Sequence, residues 1–303
     1  MIPDAFRATL AGRPPDAAGD TDGDTWLGRL PHLLDEHLRR WELQRDGPPW
    51  HGECALVLPV RRGREPAALK LTWPHPEARH EHLALRLWDG KGAVRLLAAD
   101  PTAYALLLER LDGDRDLTTV PVLEACEVIG TLSTRLDRPA TPQLDTVEGK
   151  AVRWREQLAR ATPLVPRRLT EQALATLPDL LAEAPPLRLV HEDLHDLNVL
   201  APLDPDRGDW LAIDPKPVAG EWAYAVAPIV WNRPEALARA HNLRGHARLR
   251  ADVVTDAAGL DPDRVRAWTF VRLVLNAVQA AARAPVSDDV RARMIALAKA
   301  FAD

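Results

Sequence analysis

The chain has 303 residues, 46% hydrophobic and 27% charged, enough for one large domain or for two lobes each with its own core. Its 44 acidic against 39 basic residues give a net charge of -5, which offers no electrostatic ground for nucleic acid or an anionic membrane as a partner. Two cysteines in unrelated contexts exclude a disulfide framework and a thiolate metal cluster, and no apolar run has signal-peptide or bilayer-spanning length, so a cytoplasmic protein is expected.

Residues 11–24 are rich in Gly, Pro and Asp and read as a loop. From 25 to 44, Trp26, Leu27, Leu30, Leu33, Leu34, Leu38 and Trp41 recur near a 3.6 period, which predicts an amphipathic helix. "ECALVLPVRR", the turn "GREP" and "AALKLTW" predict a β-hairpin. Pro74 and Pro76 open a helix through "PEARHEHLALRLWDG", stopped by Gly90. "AVRLLAAD" and "AYALLLERL" are two further strands. The polar "DGDRDL" at 112–117 reads as a hinge. Beyond it, "PVLEACEVIGTLSTRLD", "DTVEGKAVRWREQLARA" and "TEQALATLPDLLAE" are helices, and Pro185-Pro186 end that stretch. "LRLVHEDLHDLNVLAP" and "DWLAIDPKPVAGE" are short strands framing polar loops, and from Trp231 the pattern is helical again. The expected fold class is α+β and bilobal. Residues 1–111 form a small antiparallel-sheet lobe with one inserted helix, 112–117 the hinge, and 118–303 a larger, mainly helical lobe that carries both polar loops.

The stretch 189–200, "LVHEDLHDLNVL", admits two chemistries. His191-Glu192-Asp193-Leu194-His195 matches H-E-x-x-H, the zinc-protease signature, which needs both histidines on one helical face. Asp193, Asp196 and Asn198 are poor helix formers, and two prolines lie just upstream, so a helix is not expected. The same residues match H-x-D-x-x-x-x-N, the core of a kinase catalytic loop, which uses the segment as a loop. Phosphoryl transfer needs an aligned acceptor and metal ions on the phosphates. Asp193 takes the proton of the acceptor hydroxyl, and Asn198 offers a side-chain oxygen to Mg²⁺. Asp214, at a strand end in "WLAIDPK" and 16 positions after Asn198, is the second metal ligand. The lysine that grips the phosphates is Lys70, a charge in the interior of the strand "AALKL". An acid on the following helix holds its ammonium.

Together, "LVHEDLHDLNVL", "LAIDPKPVAGEWAY", "ALVLPVRRGREPAALKLTWP", "EHLALRLWDGKGAVRLLAAD" and "ALLLERL" resemble the aminoglycoside phosphotransferase family, in its streptomycin 6-phosphotransferase and hydroxyurea-kinase branch. The resemblance implies a protein-kinase-like fold and transfer of the γ-phosphate of ATP, with GTP an alternative donor, to a hydroxyl of an antibiotic. It assigns Asp193 as catalytic base, Asn198 and Asp214 as Mg²⁺ ligands, Lys70 to the α- and β-phosphates, and His191 to bracing the loop. Glu81, on the inward stripe with Leu85, is the expected partner of Lys70, with Glu77 the rival. Glu109 to Leu111 are the segment whose backbone meets the adenine edge. The acceptor is a small molecule, streptomycin first, with a cationic peptide antibiotic, hydroxyurea or a metabolite hydroxyl behind it. Monomer and dimer are both compatible.

The sequence departs from the family pattern in three places. Glu192 stands where the family has Gly, beside the base, either acting on it or pointing outward to a cationic substrate. Ala225, in "WAYAVAP", replaces an Asp that braces the catalytic region. No G-x-G-x-x-G precedes Lys70, which leaves Gly52 as the candidate glycine of a nucleotide loop. Glu192, Asp196, Glu221 and Glu235 are expected as rim carboxylates that steer a cationic acceptor.

Overall fold

The computed structural model describes residues 2–17, 20–282 and 287–302. Residues 18–19 of the expected loop and 283–284 at the end of the last apolar stripe lie outside the described residues. The chain divides into two units, Met1–Gly113 with Ala201–Lys216, and Asp114–Leu200 with Pro217–Asp303.

The first unit is built on an antiparallel sheet. Its strands β1 (Leu43–Arg45), β2 (Trp50–His51), β3 (Ala55–Arg62), β4 (Glu65–Thr72), β5 (Leu96–Asp100) and β6 (Ala105–Glu109) pair in the order β1-β3-β4-β6-β5, with β2 also on β3. Alternation along β4 decides what each face does. Ala67, Leu69, Leu71 and Trp73 join Leu56, Leu58, Val60 and Leu107 in a core covered by α1 (Asp4–Leu10) and α2 (Gly23–Arg40). Lys70, out of phase with them, belongs to the opposite face, in register with Val57 on one side and Leu106 on the other. The expected helical stripe is present in α2, where Trp26, Leu27, Leu30, Leu33 and Leu34 are buried and Asp22 caps Thr25 N–H at 2.8 Å. Helix α1 gives too short a pattern to read from sequence, yet Phe6 and Leu10 are fully buried.

Two expectations about local structure change. Pro76–Ala78 form a 3₁₀ turn, and the helix α3 begins only at Glu81, running to Trp88. The segment read as a hinge is extended, as β7 (Leu111–Asp116) with solvated middle residues, and the division between the two units falls within it, after Gly113. Ala201–Lys216, expected with the second lobe, belongs to the first unit for a physical reason. Val94 N–H donates to Ala212 O and Ala212 N–H to Gly92 O, both at 2.9 Å. Arg207 donates to Gly90 O at 2.9 Å and to the Glu109 carboxylate at 2.6 Å.

The second unit is mainly helical: α4 (Val122–Leu136), α5 (Val147–Ala159), α6 (Arg167–Ala182), α7 (Ala227–Trp231), α8 (Pro234–Ala238), α9 (Leu243–Ala258), α10 (Pro262–Ala282) and α11 (Asp288–Phe301). Helix α10 is buried along most of its length and packs against α5, α6, α7, α9 and α11. A small antiparallel sheet orders β8 (Arg138–Pro139), β9 (Arg188–His191) and β12 (Pro217–Gly220), with Pro217 in register with His191. The short strands β10 (Val199–Pro202) and β11 (Leu211–Ala212) complete the set. Among the described residues no helix is long and apolar enough to cross a membrane.

Helices α4 and α9 approach closely at Gly130, where a Cβ would meet Ala257 Cβ at 2.6 Å and Val254 O at 2.9 Å. Replacing a helical glycine by alanine ordinarily stabilises by up to ~1 kcal/mol. At this crossing overpacking reverses the sign, and Gly130→Ala is expected to cost about 1–3 kcal/mol, read as a lowered Tm in thermal unfolding. An unchanged or raised Tm contradicts the α4–α9 contact.

Candidate active site

The first unit places three of the expected residues together. Lys70 is 4% exposed, and Nζ donates to Glu81 Oε1 at 2.6 Å and to Asp214 Oδ1 at 2.5 Å. Glu81 is there because Glu81, Ala84, Leu85 and Trp88 make the inward stripe of α3. Its place in the first turn also puts its charge at the favourable end of the helix dipole. The rival Glu77 pairs instead with Lys216, at 3.4 Å.

Burial disfavours the Lys70 ammonium, but Asp214 and then Glu81 outweigh it and raise its pKa above the ordinary lysine value. Burial pushes the Glu81 carboxyl up to about 7, against the pull of Lys70 and with Asp214 adding a second negative charge. One ammonium between two carboxylates leaves the group with one negative charge in excess when both are ionised. The Asp214 side chain is 50% exposed, and its backbone is held in the left-handed region at φ 51°. A non-glycine residue there carries strain of about 1–3 kcal/mol, which its surroundings must sustain. A half-exposed oxygen donor bearing the surplus charge of a buried cluster suits a hard divalent cation such as Mg²⁺.

Leu111 is buried. Glu109 is committed elsewhere: its N–H donates to Arg95 O at 3.0 Å, and its carboxylate takes Arg95 N–H at 2.7 Å and two donors of Arg207. Its side chain and amide are not available to a nucleotide. Gly52 lies exposed between β2 and β3 and donates to Ala55 O at 2.9 Å, and a Cβ there would touch nothing within 4 Å. The glycine is not demanded by local packing.

The second unit holds the "HEDLHDLN" segment as the end of β9, a loop and a 3₁₀ turn over Asp196–Asn198. It is not a helix, and the zinc-protease geometry is absent. His191 is fully buried, and its Nδ1 accepts from Asp193 N–H at 3.2 Å. Asn198 Nδ2 donates to the Asp193 carbonyl at 2.8 Å, so Oδ1 is the atom Asn198 can offer to a cation. His195 caps the 3₁₀ turn through Nδ1, and its Nε2 stands 3.8 Å from Asp193 Oδ1.

Three of the four expected rim carboxylates are not at a rim. Glu192 is 5% exposed. Lys150, on α5, donates to Oε1, and Tyr224 OH donates to Oε2 at 2.7 Å. Asp196 is 1% exposed and pairs with Arg233 Nε at 2.8 Å. Burial raises its pKa, with Arg233 opposing. Glu221 is 8% exposed and takes Arg264 Nε at 2.8 Å and Trp268 Nε1 at 2.6 Å. Each acid is neutralised by a cation far away in sequence, which composition does not reveal. Glu235 alone among the four is exposed, in the first turn of α8. Lys150 left a faint signal in the sequence. It sits three residues after Val147 and four before Trp154, at the edge of the buried stripe of α5.

Among solved structures the chain is similar to aminoglycoside phosphotransferase APH(4)-Ia, with a TM-score of 0.61 at 16% identity over 90% of this chain and 100% of that one. It is also similar to a choline/ethanolamine kinase family protein from Mesorhizobium loti, with a TM-score of 0.59 at 16% identity over 99% of this chain and 95% of that one. The fold is therefore the α+β, protein-kinase-like fold of small-molecule kinases. Residues 40–284 match the model of the aminoglycoside/hydroxyurea antibiotic resistance kinase family. The chain is 36% identical over 284 residues to a streptomycin 6-kinase of Streptomyces glaucescens, spanning 91% of this chain and 90% of that enzyme. It is 40% identical over 268 residues to a hydroxyurea phosphotransferase of Kitasatospora aureofaciens, spanning 85% and 75%. The chain belongs to this family of kinases and is a phosphotransferase with a hydroxyl group as acceptor.

Burial raises the pKa of Glu192, but Lys150 and Arg272 outweigh it and hold the carboxyl below its ordinary value of 4.5. A depressed folded-state value stabilises the protein above pH 4.5, and that stability is lost as pH falls through the folded value. Glu192→Gln leaves the Lys150 ammonium without its counter-charge. It is expected to cost a few kcal/mol at pH 7, below the roughly 3–5 kcal/mol of a fully buried pair because Lys150 is partly exposed. Urea unfolding from pH 7 to pH 3 should show the gap between wild type and variant closing below pH 4.5. A constant gap contradicts an ionised Glu192.

Proposed function

We propose that the protein transfers the γ-phosphate of ATP to a hydroxyl of an antibiotic, with streptomycin the first acceptor to consider. The observation that carries this reading is the buried Lys70, set on the central strand between Glu81 and Asp214. A charge in that position is costly unless the fold has a use for it. In the proposed reaction Lys70 holds the α- and β-phosphates and Glu81 fixes the ammonium. The backbone around Leu111 meets the adenine. Asp214 of the first unit and Asn198 of the second would each offer an oxygen to Mg²⁺, which would supply positive charge to neutralise the phosphates.

Asp193 accepts the proton of the attacking hydroxyl. Its main chain is tied to Asn198 Nδ2 and His191 Nδ1, which holds the carboxylate at a set height in the loop. His191 acts by shaping the loop, not by proton transfer, because it is fully buried and its Nδ1 is engaged. The residues of the first unit hold the donor and those of the second prepare the acceptor, so removal of either set stops the same reaction.

A specific observation favours a second acceptor. Glu192, Asp196 and Glu221 are neutralised within the second unit and cannot steer a guanidinium or ammonium group. A small neutral acceptor such as hydroxyurea needs no such steering. Streptomycin rests on likeness to two streptomycin 6-kinases, at 36% and 38% identity.

ADP release with streptomycin, hydroxyurea, a cationic peptide antibiotic and choline separates these readings. Turnover with either of the first two is expected, and turnover with choline alone overturns the antibiotic reading. Asp193→Asn should lower kcat by about 10²–10⁴-fold with little change in KM for ATP, as loss of a general base does. Chelation of Mg²⁺ should abolish transfer and its addition restore it. Activity that survives chelation removes the roles given to Asn198 and Asp214.

A further inference from the structure

Glu192 is adjacent to Asp193 in the chain, yet it faces the interior. Lys150 of α5 holds one carboxylate oxygen, and Tyr224, in the buried 3₁₀ turn Trp222–Val226, holds the other at 2.7 Å. Arg272 of α10 adds a third tie through the main chain, donating from Nη1 to Glu192 O at 2.9 Å and to Tyr224 O at 3.1 Å. The Arg272 guanidinium lies over the Tyr224 ring at 4.4 Å, and that ring packs against Trp154 of α5 and Trp268 of α10. The peptide unit leading into Asp193 is thus anchored to three separate elements of the helical unit. Asn198 and His191 hold the polar main-chain atoms of Asp193 itself. Ala225, one residue past Tyr224, has no side chain able to accept or donate a hydrogen bond.

We propose that Glu192 is a positioning residue for the phosphoryl transfer. Through Lys150 and Tyr224 it fixes the peptide entering Asp193, so that the Asp193 carboxylate meets the acceptor hydroxyl. The inference rests on the reading of Asp193 as proton acceptor. A buried carboxylate is an expensive way to fill space, since an apolar pair of the same size is often as stable or more so. What an apolar pair lacks is direction. Two charge-assisted bonds set the angle of the backbone as well as its depth.

The test separates positioning from stability. In the double variant Glu192→Met/Lys150→Met, the ion pair is replaced by apolar side chains of similar length. Thermal unfolding should return close to the wild-type Tm. Turnover is read as ADP release from Mg·ATP, with streptomycin and, independently, with water alone as acceptor. In the double variant kcat should be lower by up to about 10²-fold, with KM for ATP within about threefold, as expected for a misplaced reacting group. Lys150→Arg, which keeps the charge, should recover most of the rate. Tyr224→Phe removes one hydroxyl and tests the same point if the double variant does not fold. It should lower kcat and speed hydrogen exchange of the Asp193 amide while changing Tm little. A stable variant with wild-type kcat, or rates that merely follow Tm, overturns the proposal. Asp193→Asn distinguishes the two levels. If it is inactive while the Glu192 and Tyr224 variants are fully active, only positioning fails. If Asp193→Asn itself turns over normally, the reading of the base fails.

Discussion

The ammonium of Lys70 inside the first unit is the constraint on which the rest depends. An unpaired charge in that position costs several kcal/mol, so the chain must bring carboxylates to it. One comes from the first turn of α3 and the other from residue 214, beyond the whole middle of the chain. The pairing with Asp214 explains why Ala201–Lys216 belongs with the sheet. Ala212 joins the backbone around Val94, and Arg207 ties the same segment to Glu109. The segment carrying Asp214 is thereby anchored in the unit that carries Lys70. Charge balance then sets the chemistry. With both carboxylates ionised, one cation and two anions leave a negative remainder, and Asp214 is the more exposed of the two acids.

Much of this was legible in the sequence, and the reasons can be given residue by residue. Lys70 stood out because alternation leaves no place for a charge in a strand interior unless one face has a use for it. Asp193, Asn198 and Asp214 stood out by spacing, since loops framed by short strands keep their offsets. Glu81 could be preferred to Glu77 because a 3.6 period puts it in line with Leu85 and Trp88. The fold class followed from the order of strands and helices.

The pairing of acids was not legible. Glu192, Asp196 and Glu221 sit in polar loops, and an acid in such a segment reads as solvated. Their partners Lys150, Arg233 and Arg264 lie tens of residues away and come close only through the packing of α5, α8 and α10. The extended backbone of the hinge segment is not legible for a related reason. Asp112 to Asp116 has the composition of a loop, but the extended backbone of β7 is fixed by main-chain pairing, which side chains at solvated positions do not report.

The buried acids also bear on how specificity is reached. A kinase for cationic acceptors can use exposed carboxylates, but in this loop region the acids have been spent on cations of the protein itself. Close to Asp193 in the chain, Glu192 faces Lys150 and Asp196 faces Arg233, and His195 Nε2 stands 3.8 Å from Asp193 Oδ1. Glu192, Asp196 and Glu221, neutralised in this way, offer no net charge by which to select a cationic acceptor.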